Sequence, residues 1–230
     1  MNVLIIGGSS DIGYDLAKKL TSKGYKVIAS YNEHRINDSD IDYIKCDIRN
    51  EDSILNTFKS VFDKYGRIDI LINMAAICLD NEFLLKKKKE FMDVLEVNLV
   101  GTFLTSKMYA KYIDDGMIIN IASTDGVDTY NEYNMDYAAS KAGVIHLSKN
   151  LRMVTNNKVI CICPNWIDSN STRNMDNDYL DNELLRIKQS RLLSIDEVNN
   201  GICEVIDSEY DSGSVIRIDI RDDKLWIEKI

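Results

Sequence analysis

The sequence predicts an α/β fold, a single domain over residues 1–230 built on a doubly wound parallel sheet of about seven strands with helices on both faces. Short unbroken runs of Val, Ile and Leu recur along the chain, as strands covered on both faces require. Amphipathic stretches of helical period separate these runs, and such alternation is the pattern of parallel strands joined by crossover helices. With 230 residues, 45% hydrophobic and 28% charged, the chain can bury one large core without disulfides or metals.

Taken in order, Val3–Ile6 is a four-residue apolar run and reads as the first strand. Asp11–Lys23 carries apolar residues at helical spacing behind a Ser-Ser-Asp start, and Val27–Ser30 is the second strand. Tyr43–Cys46 is a weaker strand, followed by the helical pattern Glu51–Tyr65 and the buried strand Ile68–Ile72. A long helical stretch occupies Lys88–Tyr112, with the run Lys86–Lys89 as its solvated start, since charge runs face water. Met117–Ile121, the helix Asn134–Val154, Val159–Cys163, the helix Asp196–Ser208 and Val215–Ile218 complete the alternation. Only Asn165–Arg191 breaks it. That segment is polar, rich in Asn, Asp and Ser, and is expected to form a substrate-covering loop and lid.

Composition narrows the function. A net charge of −9 speaks against a nucleic-acid partner, which wants a basic field. Five cysteines, with no C-x-x-C pair, read as thiols in a reducing compartment, and Cys161 and Cys163 read as core residues on one strand face. Two histidines, His34 and His146, make a His-containing metal site improbable, and no metal is expected. The chain runs from Met1 almost directly into its first strand, leaving no room for a signal peptide, and no apolar run approaches membrane-spanning length. The expected location is the cytoplasm.

The first chemical signal is Ile6-Gly7-Gly8-Ser9-Ser10-Asp11-Ile12-Gly13, between the first strand and the first helix. Glycines there let the backbone turn tightly and approach a pyrophosphate, and the helix N-terminus adds N–H donors and a favourable dipole. The second is Tyr137-Ala138-Ala139-Ser140-Lys141. Tyr and Lys four residues apart share a helix face, and a nearby ammonium stabilises a phenolate, bringing its pKa from about 10 toward the working range. A bare Tyr-x-x-x-Lys is otherwise an ordinary surface pair. Here Ser123 lies fourteen residues before Tyr137 at a strand end, where a hydroxyl can hold a substrate oxygen against the phenol.

These motifs resemble the short-chain dehydrogenase/reductase family, a Rossmann-type fold, and the resemblance runs over essentially the whole chain. Its first loop reads T-G-x-x-x-G-x-G. Gly7 and Gly13 match the outer glycines, Ile6 replaces the Thr, and Asp11 stands at the middle Gly, where it is expected to cap the following helix. The resemblance implies cofactor contacts from Gly7, Ser9, Ser10, Asp11, Ile12 and Gly13, and from Asp47 and Ile48, where the family binds adenine. It implies further contacts at Asn73 and Ala75 in Asn73-Met74-Ala75-Ala76, where the family reads N-N-A-G. Pro164, Ile167 and Ser169 match a P-G-x-[IV]-x-T stretch that meets the nicotinamide, with Asn165 in place of Gly. By the same resemblance the catalytic set is Asn98, Ser123, Tyr137 and Lys141, with Thr124 the alternative to Ser123 if the register shifts by one. Tyr137 protonates the substrate oxygen, Ser123 hydrogen-bonds it, Lys141 tunes Tyr137 and grips the nicotinamide ribose, and Asn98 marks a helix irregularity that supports proton supply.

The second strand ends in Ser30-Tyr31-Asn32, without the carboxylate that selects NAD, and Arg35 follows within reach of a 2′-phosphate. Tyr31, Asn32 and Arg35 are therefore expected at an NADP ribose, with NAD the alternative. The stretch Tyr137–Gly143 is similar to 3-oxoacyl-[acyl-carrier-protein] reductases, which implies an acyl-thioester substrate. Those enzymes place basic residues beside the cleft for their acidic carrier protein. Arg173 stands where one is expected and Asp114 where the other is. A small ketone, sugar or polyol substrate is the alternative, and a non-catalytic dinucleotide-binding scaffold or sensor is the alternative of another class. The family resemblance also implies a homodimer or homotetramer, pairing the helices near Lys88–Tyr112 and Asn134–Val154.

Overall fold

The computed structural model describes residues 1–230. The chain order is β1 (Asn2–Ile6), α1 (Asp11–Ser22), β2 (Lys26–Tyr31), β3 (Asp42–Lys45), α2 (Glu51–Tyr65), β4 (Ile70–Asn73), α3 (Lys88–Leu95), a π turn (Glu96–Gly101), α4 (Thr102–Tyr112) and β5 (Met117–Ile121). It continues with α5 (Met135–Leu151), β6 (Lys158–Pro164), α6 (Asn177–Arg186), α7 (Ile195–Ile206), β7 (Ser214–Arg221) and β8 (Lys224–Lys229). One sheet runs β3-β2-β1-β4-β5-β6-β7-β8, with β1 to β7 parallel and β8 antiparallel at the edge.

Alternate residues of each central strand serve opposite faces, which is why the runs are unbroken. Val3 and Ile5 of β1, with Ile70 and Ile72 of β4, pack beneath Leu16, Leu20, Val198 and Ile202 of α1 and α7. Leu4, Ile6 and Leu71 face the other way, onto Phe58 and Val61 of α2 and Tyr109 of α4. Cys161 and Cys163 share a face in a third cluster with Val144 and Val215. No helix is long and apolar enough to cross a membrane.

Three expectations are corrected, and one, the irregularity at Asn98, is met. The sheet has eight strands rather than about seven: β8 follows β7 across the two-residue turn Asp222-Asp223, whose φ angles are 50° and 58°. Such a turn matches the twist of a hairpin, but Asp-Asp lacks the Asn or Gly that would announce it. The long helix near Lys88–Tyr112 is interrupted by the π turn at Glu96–Gly101. The segment expected as a loop over 165–191 contains α6, which buries no residue and is capped by the Asp176 side chain on the Tyr179 N–H. Lys86 is not a solvated helix start. Its ammonium is drawn inward to Leu79 O and, at 2.8 Å, to the carboxylate of fully buried Asp136.

Candidate functional site

The C-terminal ends of β1, β4, β5 and β6 lie side by side, so the loops leaving them converge on one edge of the sheet. After β1 the chain turns at Gly7, with φ +87°, and a Cβ there would come 2.7 Å from the Ala75 backbone. A Cβ at Gly13 would stand 2.5 Å from Gly7 O, so the start of α1 can lie against this turn only with glycine. Ser10, not Asp11, caps the helix: its Oγ accepts from Gly13 N–H at 3.0 Å. Asp11 begins the first turn instead. Its Oδ1 accepts from Ile12 N–H at 2.9 Å and its Oδ2 from Asn170 N–H at 2.7 Å, tying the turn to the segment beyond β6.

Ser123 leaves β5 with an extended backbone, and its Oγ accepts from Asp125 N–H at 3.1 Å, leaving its own hydrogen free to donate. Tyr137 and Lys141 sit one turn apart on α5, with Lys141 Nζ 5.4 Å from the Tyr137 ring centre and donating to Ile121 O at 2.8 Å. Asn98, in the π turn, accepts from Ile77 N–H at 2.8 Å and donates to Ile77 O at 2.9 Å and to Ser140 Oγ at 3.0 Å. Ser140 in turn donates to Tyr137 O at 2.6 Å, so Asn98 braces the turn that carries the phenol. A cleft of about 750 Å³ runs from Ser10–Ile12 past Ile121–Ser123, Tyr137 and Lys141 to Pro164, Ile167 and Ser169.

Burial pulls the Lys141 ammonium down to about 8. The phenol moves the other way from what the sequence suggested. Burial first, then the neighbouring Asp125 carboxylate, push the Tyr137 pKa up, opposed by the nearby Ser123 hydroxyl. Lys141 donates to Ile121 O and makes no hydrogen bond to the phenol, and burial pulls its own pKa down, so Tyr137 keeps its proton. The arrangement offers a held proton beside a free hydroxyl donor, in a cleft that begins at a glycine cradle and helix N-terminus fit for a pyrophosphate.

The family profile described as short chain dehydrogenase matches residues 1–180. The chain belongs to the short chain dehydrogenase family. Members of this family are oxidoreductases that bind NAD(P), so this chain is an oxidoreductase of that class. It is 31% identical over 227 residues to carbonyl reductase family member 4 of Xenopus laevis, covering 94% of each chain. To 3-oxoacyl-[acyl-carrier-protein] reductase FabG of Vibrio cholerae it is 29% identical over 233 residues, again 94% of each. Among solved structures, a short chain dehydrogenase from Leptospira borgpetersenii with bound NAD+ superposes with a TM-score of 0.86 at 30% identity, over 95% of this chain and 91% of that one.

Not every residue expected at a cofactor of this family reaches the cleft. Asn73 turns its side chain into the α4 layer, donating to Ser106 Oγ and Asn120 Oδ1 and accepting from Thr105, so its amide is consumed in the core and only its backbone faces the edge. Asp47 is held by the Arg49 guanidinium at 2.9 and 2.7 Å, and Ile48 is buried against Gly101. Tyr31 ends β2, and Asn32 and exposed Arg35 follow it, outside the cleft. Sequence reasoning missed Cys78, Asp80, Asp125, Asn134 and Tyr179, which line the cleft beyond Tyr137. Asp125, two residues past Ser123, was the one with a positional signal.

Proposed function

We propose that the protein moves a hydride reversibly between a nicotinamide dinucleotide, NADP before NAD, and the carbonyl or alcohol carbon of a small polar substrate. The observation that carries this reading is that Ser123, Tyr137 and Lys141 line one cleft with the first turn of α1. The nicotinamide supplies or takes the hydride. Gly7 and Gly13 admit the pyrophosphate, and Ser10 and Ile12 stand at the helix N-terminus beside it. Tyr137 holds a proton at its phenolic oxygen and gives it to the substrate oxygen as a carbonyl is reduced, while Ser123 Oγ donates to that same oxygen. Lys141 positions the phenol and would hold the nicotinamide ribose. Asn98 acts through Ser140, keeping the Tyr137 turn in place and serving proton supply to Lys141. Residues 165–191 cover the substrate, with Ser169 to Met175 forming one wall of the cleft.

NADP is supported by the absence of a carboxylate on Ser30-Tyr31-Asn32 and by Arg35 beyond them. A small substrate is supported by the charge of the cleft: Asp11, Asp80, Asp125 and Asp176 line it, against Lys141 as the one cation. A 3-oxoacyl thioester on an acidic carrier is the second reading, favoured by the similarity to the Vibrio reductase. Its docking cations are poorly served, because Arg173 is paired with Asp168 at 2.7 Å and Asp114 precedes β5, at the sheet edge opposite the cleft. A homodimer or homotetramer paired through α3–α4 and α5 is supported by exposed Met92, Val100 and Phe103.

The test is Tyr137→Phe, assayed with NADPH and NADH. Turnover falls about 10²- to 10⁴-fold while the dissociation constant of the reduced cofactor is nearly unchanged. Full turnover in the variant removes Tyr137 from its role, and equal use of both coenzymes removes the preference for NADP.

A further inference from the structure

Beyond Tyr137 the cleft contains two acceptors that the protein leaves unmet. Asp125, 8% exposed, keeps Oδ1 without a hydrogen-bond partner, and Asn134, 6% exposed, keeps its own Oδ1 without one. Both residues line the cleft. They are tied to each other, Asn134 Nδ2 donating to Asp125 Oδ2 at 3.2 Å, so neither can satisfy the other's remaining oxygen. The nearby ammonium of Lys141 donates to Ile121 O and makes no hydrogen bond to either oxygen. Native proteins rarely bury such groups without a partner, and a buried carboxylate oxygen is among the least tolerable. The two oxygens lie just beneath the cleft surface, and a ligand whose donors draw these side chains toward it removes the deficit. An apolar acyl chain leaves it in place.

We infer that Asp125 and Asn134 are specificity-determining residues that select a substrate carrying a hydrogen-bond donor, a hydroxyl or an ammonium, on the carbon next to the one that exchanges hydride. This deepens the proposed oxidoreductase function and rests on it. The placement is chemical as well as geometric. Asp125 follows Ser123 by two residues, and the Asp125 N–H is the donor that Ser123 Oγ accepts, so the hydroxyl that meets the reacting oxygen and the carboxylate that meets its neighbour are braced together. Asn134 lies immediately before α5, three residues from Tyr137. The carboxyl of Asp125 is pushed up to about 6 by burial, with the neighbouring Trp166 and Asn134 side chains opposing, and so is ionised at neutral pH and able to receive a proton donor strongly. Selection through buried polar groups is the kind that discriminates sharply, because an analogue without the donor leaves them unpaired.

The test compares matched four-carbon substrates with the wild-type protein and with Asp125→Asn and Asn134→Ala: 3-hydroxy-2-butanone, 3-amino-2-butanone and 2-butanone, with a short 3-oxoacyl thioester as a fourth. The wild type should prefer a donor-bearing ketone over 2-butanone and over the thioester by about a hundredfold in kcat/KM. Asp125→Asn should lower the ratio of kcat/KM on the donor-bearing ketone to that on 2-butanone about tenfold or more, whatever common change the lost charge makes at Tyr137. Asn134→Ala provides a second variant if the first does not fold. Preference for both donors identifies a hydroxyl-type contact, and preference for the amine alone identifies an ammonium. Equal turnover of 2-butanone or of the thioester by the wild type overturns the inference and leaves the oxidoreductase reading standing. Tight NADPH binding with no turnover of any of the four overturns both.

Discussion

A carboxylate at the mouth of α1 sets the chemistry of the cofactor cradle at the level of one residue. Asp11 stands where the family has glycine, and it takes the Ile12 N–H for itself while reaching across to Asn170. An anion at a helix N-terminus satisfies the dipole, yet here it shares that terminus with an incoming pyrophosphate. Like charges separated by a few ångströms through water repel by about 1 kcal/mol. Asp11→Asn keeps an Oδ1 acceptor for Ile12, gives up the Oδ2 acceptor of Asn170 and removes the charge. It should therefore tighten NAD(P)H binding about fivefold, read by fluorescence titration, with kcat unchanged. Unchanged or weaker binding would show that the carboxylate turns fully toward Asn170 and imposes no repulsion. The residue scale is also where the sequence misled. Ser10 and Asp11 are both good cap formers, and only the backbone decides between them: Ser10 is extended, at φ −71° and ψ 165°, and presents its Oγ to Gly13. Asp125 reads in sequence as a turn former after a strand, because the burial that gives it significance comes from β5, α5 and the β6 loop together.

Elements were legible where local pattern and tertiary setting agree. The parallel strands showed as unbroken apolar runs because α1 and α7 cover one face and α2 and α4 the other. The Ser123, Tyr137 and Lys141 spacing showed because a strand end and one helical turn fix it. Less legible was α6, ten residues with no fully buried side chain, whose clearest local sign is the Asp176 cap. The π turn could be suspected from Asn98 and Gly101 in a helical run, and its geometry explains their presence. Widening the helix by one residue lets the Asn98 side chain leave the helix and pair with both backbone groups of Ile77, as a regular turn would not. Asn98 is 1% exposed, so its loss strands those groups and Ser140. Asn98→Ala should destabilise the fold by about 1–3 kcal/mol, measured as a lowered urea midpoint. A midpoint equal to the wild type's would mean that water replaces the amide without cost.

Across the whole molecule, charge and burial combine into a dependence of stability on pH. Most carboxylates sit on the surface of a chain whose net charge is −9, and the paired ones are ordinary. Glu197 is held down to about 2 by Arg191 and by Ser194, and Asp42 to about 2 by Lys26 and Tyr65. Their contributions are present above the usual carboxylate range and disappear only as pH falls toward 2. Asp125 runs against them. Its pKa rises from 3.8 to about 6 on folding, so between those values the native state holds a proton that the unfolded chain has released. Native stability must therefore rise as pH falls through 6, by at most about 3 kcal/mol at pH 4 for a shift of this size. Relief of self-repulsion in an acidic chain acts in the same direction, so the wild-type curve alone cannot assign the gain. The difference between proteins can. Melting temperature should climb between pH 7.5 and 5 for the wild type and climb less for Asp125→Asn, whose amide does not titrate, the two curves converging toward the acid end. Parallel curves across that interval would mean that Asp125 titrates as a surface carboxylate does, and that its buried oxygen is already served by solvent.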